Sequence, residues 1–259
     1  MVALLHGKRS TRAEVFAVPT PQPTRTYFPV PYAEFVTRIE KKVEEMLPWE
    51  IKTNQFSLSA DGSKLFGVMT LRSNGTEIDS IMPSIGYGTS HDGTHSGKLA
   101  AGGSVACCAN GMFSTDGLKV MRKHTKNFYR DFDHLMEVAM WDFRERFDNL
   151  QEVRGDMKEI HIPKTRGYEI LGAAYGEQIL TSTQFSEAVR QWDSPSYGEA
   201  FTDSSAWSLY NAITSGLKKG HFSLALRRFT QAHDWFLKNQ GLYNPDWRKG
   251  TVVDVEVIS

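Results

Sequence analysis

The period of the apolar residues changes once along the chain, and that change limits the fold more than any single motif does. From Glu50 to Phe113 the pattern is that of strands. Phe56 and Leu58 have polar neighbours, Leu65 to Leu71 is apolar and alternating, and Ile78 to Tyr87 is a third strand-like run. Ala60-Asp61-Gly62-Ser63 and Ser73-Asn74-Gly75-Thr76 are turn signals between these runs. The segment reads as an antiparallel meander of at least three strands. After it come a glycine-rich stretch, Gly86 to Gly103, and a short apolar segment, Ser104 to Ala109. Beyond Asp131 the spacing becomes three and four. Phe132, Leu135, Met136, Ala139, Met140, Phe143, Phe147 and Leu150 place a helix from Asp131 to Val153, with Asp133, Glu137, Glu145, Asp148 and Glu152 on its solvated side. Further helices are expected over 166–180, 182–192, 203–219 and 221–238. Ser182 or Thr183 would cap the second of these and Thr202 or Asp203 the third, and Gly220 separates the last two. The expected fold class is α+β, an antiparallel β-meander in the N-terminal half (strand-rich 50–113) packed against a mostly helical C-terminal half (131–238).

Residues 1–31 are expected to form an extended proline-rich arm, because Pro19, Pro21, Pro23, Pro29 and Pro31 remove donors and forbid helix. Such an arm can lie as a strap across its own domain, wrap a neighbouring subunit or touch a ligand. A helix from Tyr32 to Leu47 follows, with Phe35, Ile39, Val43 and Leu47 on one stripe and Pro48 as its stop. Residues 32–259 are read as one α+β domain.

The chain has 259 residues, 40% of them hydrophobic, enough to bury a core. Its 30 basic and 30 acidic residues cancel, so affinity for a polyanion has to come from a local patch. No apolar run approaches the ~20 residues of a membrane span, and the apolar start is too short for a secretory signal. Cys107 and Cys108 are adjacent and cannot build a disulfide framework, so a reducing cytoplasm is expected.

One such patch is present. Lys119, Arg122, Lys123, Lys126 and Arg130 fall within twelve residues that contain no acid, with His124, Phe128 and Tyr129 among them. Cations beside exposed rings suit single-stranded nucleic acid, whose bases are free to stack; the same run also suits plain solvated surface. A second basic group, Lys218, Lys219, Arg227 and Arg228, could extend the track. Phe222, Phe229, Trp235 and Phe236 nearby have the spacing of core residues, whereas Trp247 is expected in an exposed loop.

His91-Asp92-Gly93-Thr94-His95 is the most enzyme-like string. With His124, Cys107 or Cys108 it could ligate a metal, but the surrounding glycines argue for a polar turn at Asp92-Gly93. A Cys–His nucleophile pair is formally available, although Cys107 and Cys108 sit in a strand-like run where thiols are usually packing. No phosphate-loop or dinucleotide fingerprint is present, and no cofactor is expected.

Ser90-His91-Asp92-Gly93-Thr94, then Val105-Ala106-Cys107-Cys108-Ala109-Asn110-Gly111-Met112-Phe113, then Arg122-Lys123-His124-Thr125, resembles a family of phage- and plasmid-encoded proteins of unknown function. Trp207-Ser208-Leu209-Tyr210-Asn211-Ala212-Ile213-Thr214 is similar to the same family's later segment, so the resemblance spans roughly residues 50 to 240. Cys108-Ala109-Asn110 departs from it, since an acid or another polar residue often precedes that Asn. The resemblance implies phage or mobile-element DNA metabolism. Sheet followed by helices is also loosely similar to single-strand annealing proteins of the Rad52 kind.

Three functions fit these residues. The first is a non-enzymatic single-stranded DNA-binding protein, with a role in annealing, recombination, replication or transcription. Lys119, Arg122, Lys123, Lys126 and Arg130 would hold phosphates and Phe128 or Tyr129 would stack bases, with phage or host polymerases, recombination proteins or further copies of the chain as additional partners. The second is a protein-interaction factor that recruits a polymerase or counters a host defence. The third is a metal-dependent enzyme using His91, Asp92, His95 and His124.

Overall fold

A computed structural model describes residues 9–72, 80–106, 111–112, 119–201, 203–220 and 224–242. Strand β1 (Arg9–Ser10) and helix α1 (Arg12–Phe16) precede helix α2 (Tyr32–Met46). Strands β2 (Ile51–Leu58), β3 (Lys64–Leu71), β4 (Ile81–Ser90) and β5 (Gly97–Val105) then run antiparallel in sequence order, with β1 beside β2. Strands β6 (Gly111–Met112) and β7 (Lys119–Arg122) both pair with β5. The rest is helical: α3 (Phe128–Glu159), α4 (Lys164–Gly176), α5 (Ser182–Asp193), α6 (Gly198–Phe201), α7 (Ala206–Leu217) and α8 (Ala225–Lys238). The fold is α+β, with the strands in the N-terminal half and helices α3 to α8 in the C-terminal half.

Register decides which residues share a face. Leu65, Gly67 and Met69 pair with Thr89, Tyr87 and Ile85, so these side chains stand on one side of the sheet, together with Ile81. Helices α2 and α3 cover that side. Phe35 of α2 meets the Tyr87 ring at 6.2 Å, and α3 buries Phe132, Met136, Met140, Phe143 and Phe147. Arg38 and Lys42 of α2 reach Asp133 and Glu137 of α3 at 2.7 and 2.9 Å, so two acids expected on open surface join the helices instead.

The glycine-rich stretch is not a break after the meander: it is the β4–β5 hairpin itself. Its glycines hide the strand period because the space over them is filled by other side chains. A Cβ on Gly97 would lie 2.5 Å from the Phe128 ring. The N-terminal segment also differs from a wholly extended arm. Thr11 and Glu14 form a capping box that starts α1, Val15 is buried, and Arg12 holds Glu40 of α2 bidentately. The turn at 73–76, the cysteines at 107 and 108, and Phe222 and Trp247 lie outside the described residues.

In the helical half, α7 is buried over nearly its whole length and packs on α5. Two of its polar side chains are satisfied within the helix: Asn211 Nδ2 donates to the Trp207 carbonyl at 2.9 Å and Thr214 Oγ1 to that of Tyr210 at 2.9 Å. Ser205, not Thr202 or Asp203, caps α7, and Thr181 with Gln184 caps α5. Each cap is the hydroxyl immediately preceding the first helical residue, whose φ and ψ are extended.

Close approach of α5 and α7 gives a prediction. A Cβ at Gly216 would lie 2.5 Å from the Gln184 carbonyl oxygen, which is backbone and cannot swing away. Gly216→Ala is expected to lower unfolding free energy by about 1–3 kcal/mol. Gly172→Ala in α4, where nothing lies within 4 Å, should raise it by about 0.5–1 kcal/mol. Urea midpoints of the two variants should therefore move in opposite directions, and a common direction refutes the packing.

Candidate nucleic-acid interface

The β4–β5 turn is closed by its own side chains. Asp92 accepts from the Thr94 amide at 2.9 Å and the Thr94 hydroxyl at 2.6 Å, and Gly93 takes φ +75°. Ser90 Oγ accepts from the His95 amide at 2.9 Å. Partial burial opposes ionisation of Asp92, but the Thr94 and Ser90 hydrogen bonds and the charge of Lys64 outweigh it and hold the carboxyl well below the usual carboxylate range.

Two histidines tie this turn to the rest of the molecule. His91 Nε2 donates to the Val30 carbonyl at 2.9 Å, and its ring stacks on Tyr32 at 3.8 Å. A carbonyl only accepts, so Nε2 carries the proton. For His124 the tautomer follows the same way. The Tyr27 hydroxyl donates to the Ser90 carbonyl at 2.7 Å, so it accepts from His124 Nδ1 at 3.0 Å. His124 Nε2, 2.8 Å from Thr89 Oγ1, is then the acceptor. Burial, with a smaller contribution from His91, pushes His124 down to about 4, so the ring is neutral. Burial likewise lowers His91, and it lowers His95 with help from Lys98 and Lys64.

This clasp fixes the chain that carries the basic segment. The Phe28 amide donates to the His124 carbonyl at 3.0 Å, and Phe128 and Thr125 close the turn into α3. Lys123 and Lys126 project from that turn, exposed and without an ion-pair partner among the described residues. Arg130 is exposed and lies 2.9 Å from Asp131. Arg122 is half-buried and paired with Asp131. Behind them α3 runs for 32 residues, and its N-cap residue, Asn127, makes no side-chain cap hydrogen bond. The positive end of that helix therefore points toward the same cations.

Several expected roles change. His124 is 4% exposed with both nitrogens engaged, so it cannot contact phosphate. Phe128 is 2% exposed and stacked on Phe132 at 5.0 Å, which removes it as a base-stacking ring. Arg38 covers one face of Tyr129 at 4.1 Å. The Lys119 side chain lies outside the described residues. Lys219 reaches Glu187 of α5 at 3.9 Å, Lys218 ends α7, and Arg228 donates to the Gln178 carbonyl at 3.1 Å. Arg227 and Arg228 line a cleft with Gln178, Thr181 and Asp234, a neighbourhood separate from the β7–α3 turn. Among the described residues no three His, Cys, Asp or Glu side chains group as a metal would require, and His91 and His124 serve instead as fasteners of the fold. No helix among those residues is long and apolar enough to cross a membrane.

The parts that sequence reasoning missed are Tyr27, Thr89, Tyr32 and Val30, which receive the histidines from distant positions. Trp141 was also missed. It is 66% exposed on α3, and the only signal for it was a large ring off the apolar stripe.

Comparison with curated proteins and with solved structures found no match. The family model described as a domain of unknown function, DUF932, matches residues 22–242, and the chain belongs to that family.

Proposed function

We propose that the protein binds single-stranded DNA at the turn between β7 and α3, as a non-enzymatic component of phage or mobile-element recombination, replication or transcription. One observation carries the reading. Lys123, Lys126 and Arg130 stand exposed around the uncapped N-terminus of a 32-residue helix, on a turn held by the His124 clasp. Helix dipole and cations then act on the same phosphates. Arg122 helps less, because it is half-buried where Asp131 holds it, whereas Arg130 meets the same acid from an exposed position. With Phe128 buried, affinity rests on phosphate contacts rather than stacking. An annealing role is favoured only by the order of sheet and long helix.

Fluorescence anisotropy of a labelled single-stranded oligonucleotide, across a salt series, tests this. Three phosphate contacts on a single strand correspond to a log–log salt slope of about −2. The Lys123→Ala/Lys126→Ala/Arg130→Ala variant is expected to lose most of that slope and to bind at least tenfold more weakly, as an order-of-magnitude expectation. Salt-independent binding, no binding at low salt, or an unchanged variant refutes the proposal. Equal binding to duplex would refute the preference for single strands.

A further inference from the structure

Away from the β7–α3 turn, the link from α4 to α5 and one face of α8 enclose a cleft of about 940 Å³. That volume is in the range of small-molecule sites. Residues 175–182 form one wall, and Arg227, Arg228, Gln231 and Asp234 of α8 form the other. Arg227, Gln231 and Asp234 are spaced four and three apart, so at 100° per residue they follow one another along one face of α8.

The two arginines are positioned without being neutralised. Arg228 is half-buried, and its Nη1 donates to the Gln178 carbonyl at 3.1 Å. A carbonyl is a neutral acceptor, so the guanidinium is fixed in place yet keeps its full charge. Arg227 is exposed, and no acid among the described residues pairs with either arginine. By contrast, Arg12, Arg38, Arg122 and Arg190 each hold a carboxylate. The acids of the cleft sit toward its other end. Asp234 follows Arg227 by seven residues, about 10 Å along the helix axis. Glu177 Oε2 accepts from the Trp235 indole at 2.8 Å, next to Asp234 in the chain. The cleft is therefore basic at Arg227 and Arg228 and acidic at Asp234 and Glu177.

We infer that this cleft binds a phosphorylated sugar, free or as part of a nucleotide, with its phosphate on Arg227 and Arg228 and its sugar hydroxyls on Asp234. Two uncompensated cations suit a dianion, and guanidinium forks match phosphate oxygens. A carboxylate accepts and cannot donate, so the far end of the ligand has to bring donors that carry no negative charge. Vicinal ribose hydroxyls are such donors, and an acid takes the ribose 2′ hydroxyl in dinucleotide sites in the same way. The Gln231 amide lies between the two ends and both donates and accepts. Tyr175, 46% exposed on the opposite wall, presents a ring for a base. An internal stretch of DNA has neither the terminal dianion nor the vicinal hydroxyls, so this site is separate from the proposed DNA surface.

Isothermal titration calorimetry of the full chain with ribose 5-phosphate, adenosine monophosphate, its 2′-deoxy analogue and inorganic phosphate reads this out. Ribose 5-phosphate or adenosine monophosphate should bind with a Kd on the order of 100 μM, and the tighter of the two tells sugar phosphate from nucleotide. The 2′-deoxy analogue and inorganic phosphate should each bind several-fold more weakly. Arg227→Ala/Arg228→Ala should weaken every ligand at least tenfold, as an order-of-magnitude expectation. Arg227→Ala alone, which removes an exposed side chain and keeps the fold, should act in the same direction. Asp234→Asn should erase the preference for ribose over deoxyribose and leave inorganic phosphate unchanged. No binding up to about 10 mM, equal binding of ribose and deoxyribose ligands, inorganic phosphate binding as tightly as either, or binding untouched by the arginine variants overturns the inference. The Lys123→Ala/Lys126→Ala/Arg130→Ala variant should bind these ligands as the wild type does, and Arg227→Ala/Arg228→Ala should keep its oligonucleotide affinity. The two sites therefore stand or fall separately.

Discussion

Phe128→Ala is expected to lower the unfolding free energy by about 3–5 kcal/mol and to leave oligonucleotide affinity, per folded molecule, unchanged. The ring is enclosed by Phe132, stacked at 5.0 Å, by His124 at 5.2 Å and by Phe35 at 6.3 Å. Gly97 of β5 lies directly against it and can offer no side chain to refill the hole. The transfer cost of the ring and the cost of the cavity therefore add. Phe128→Leu keeps much of the volume and should cost about 1 kcal/mol, so it stays folded and allows both measurements. Urea unfolding and anisotropy on the same samples separate the roles. A variant of full stability that binds DNA poorly would return Phe128 to the surface and refute this packing.

That ring also shows what the sequence could and could not carry. Phe128 and Phe132 are one helical turn apart, continuous with Met136 and Met140, so the core stripe already reached back to 128. Periodicity was sufficient for the α+β class, for α2 and for the middle of α3, which starts at Phe128 rather than Asp131 and runs on to Glu159 rather than stopping at Val153. It failed at β5, where Ala100, Ala101, Gly102 and Gly103 leave no alternation to read. The histidines failed for another reason. Their residue types suggest metal, whereas their roles are set by Val30, Thr89 and Tyr27, which stand 61, 35 and 97 residues away in the chain. Non-local hydrogen bonds leave no spacing signature. Exposure of Lys123 and Lys126 was legible from charge; the pairing of Arg122 with Asp131 was not, because it needs β7 placed beside α3.

Acid should unfold the protein well before its carboxylates titrate. His124 and His233 are both buried, and burial pushes each down to about 4. His124 is opposed by no nearby acid, while Asp234 offsets the fall of His233 only in part. The sign follows from proton uptake. Unfolded histidine binds a proton near pH 6.5, the folded ring only near 4, so between those values the unfolded chain holds more protons and falling pH favours it. The stabilisation is fully present above about 6.5 and is lost as pH drops through about 4. Each ring contributes about 3 kcal/mol at the full extent and about 2 kcal/mol of loss by pH 5. Asp92, held below its usual range, adds to the loss only at lower pH still. Urea midpoints measured from pH 7.5 to 4.5 should fall steeply below 6.5. The His124→Gln and His233→Gln variants should each start less stable at pH 7.5, because Thr89 and Tyr27, or Tyr210, lose a fitted partner. Each should also show a shallower decline, since one proton-binding site is gone. A wild-type midpoint constant between pH 7 and 5 would mean that the two rings are charged or solvated in the folded state, and the clasp described for His124 would fall with it.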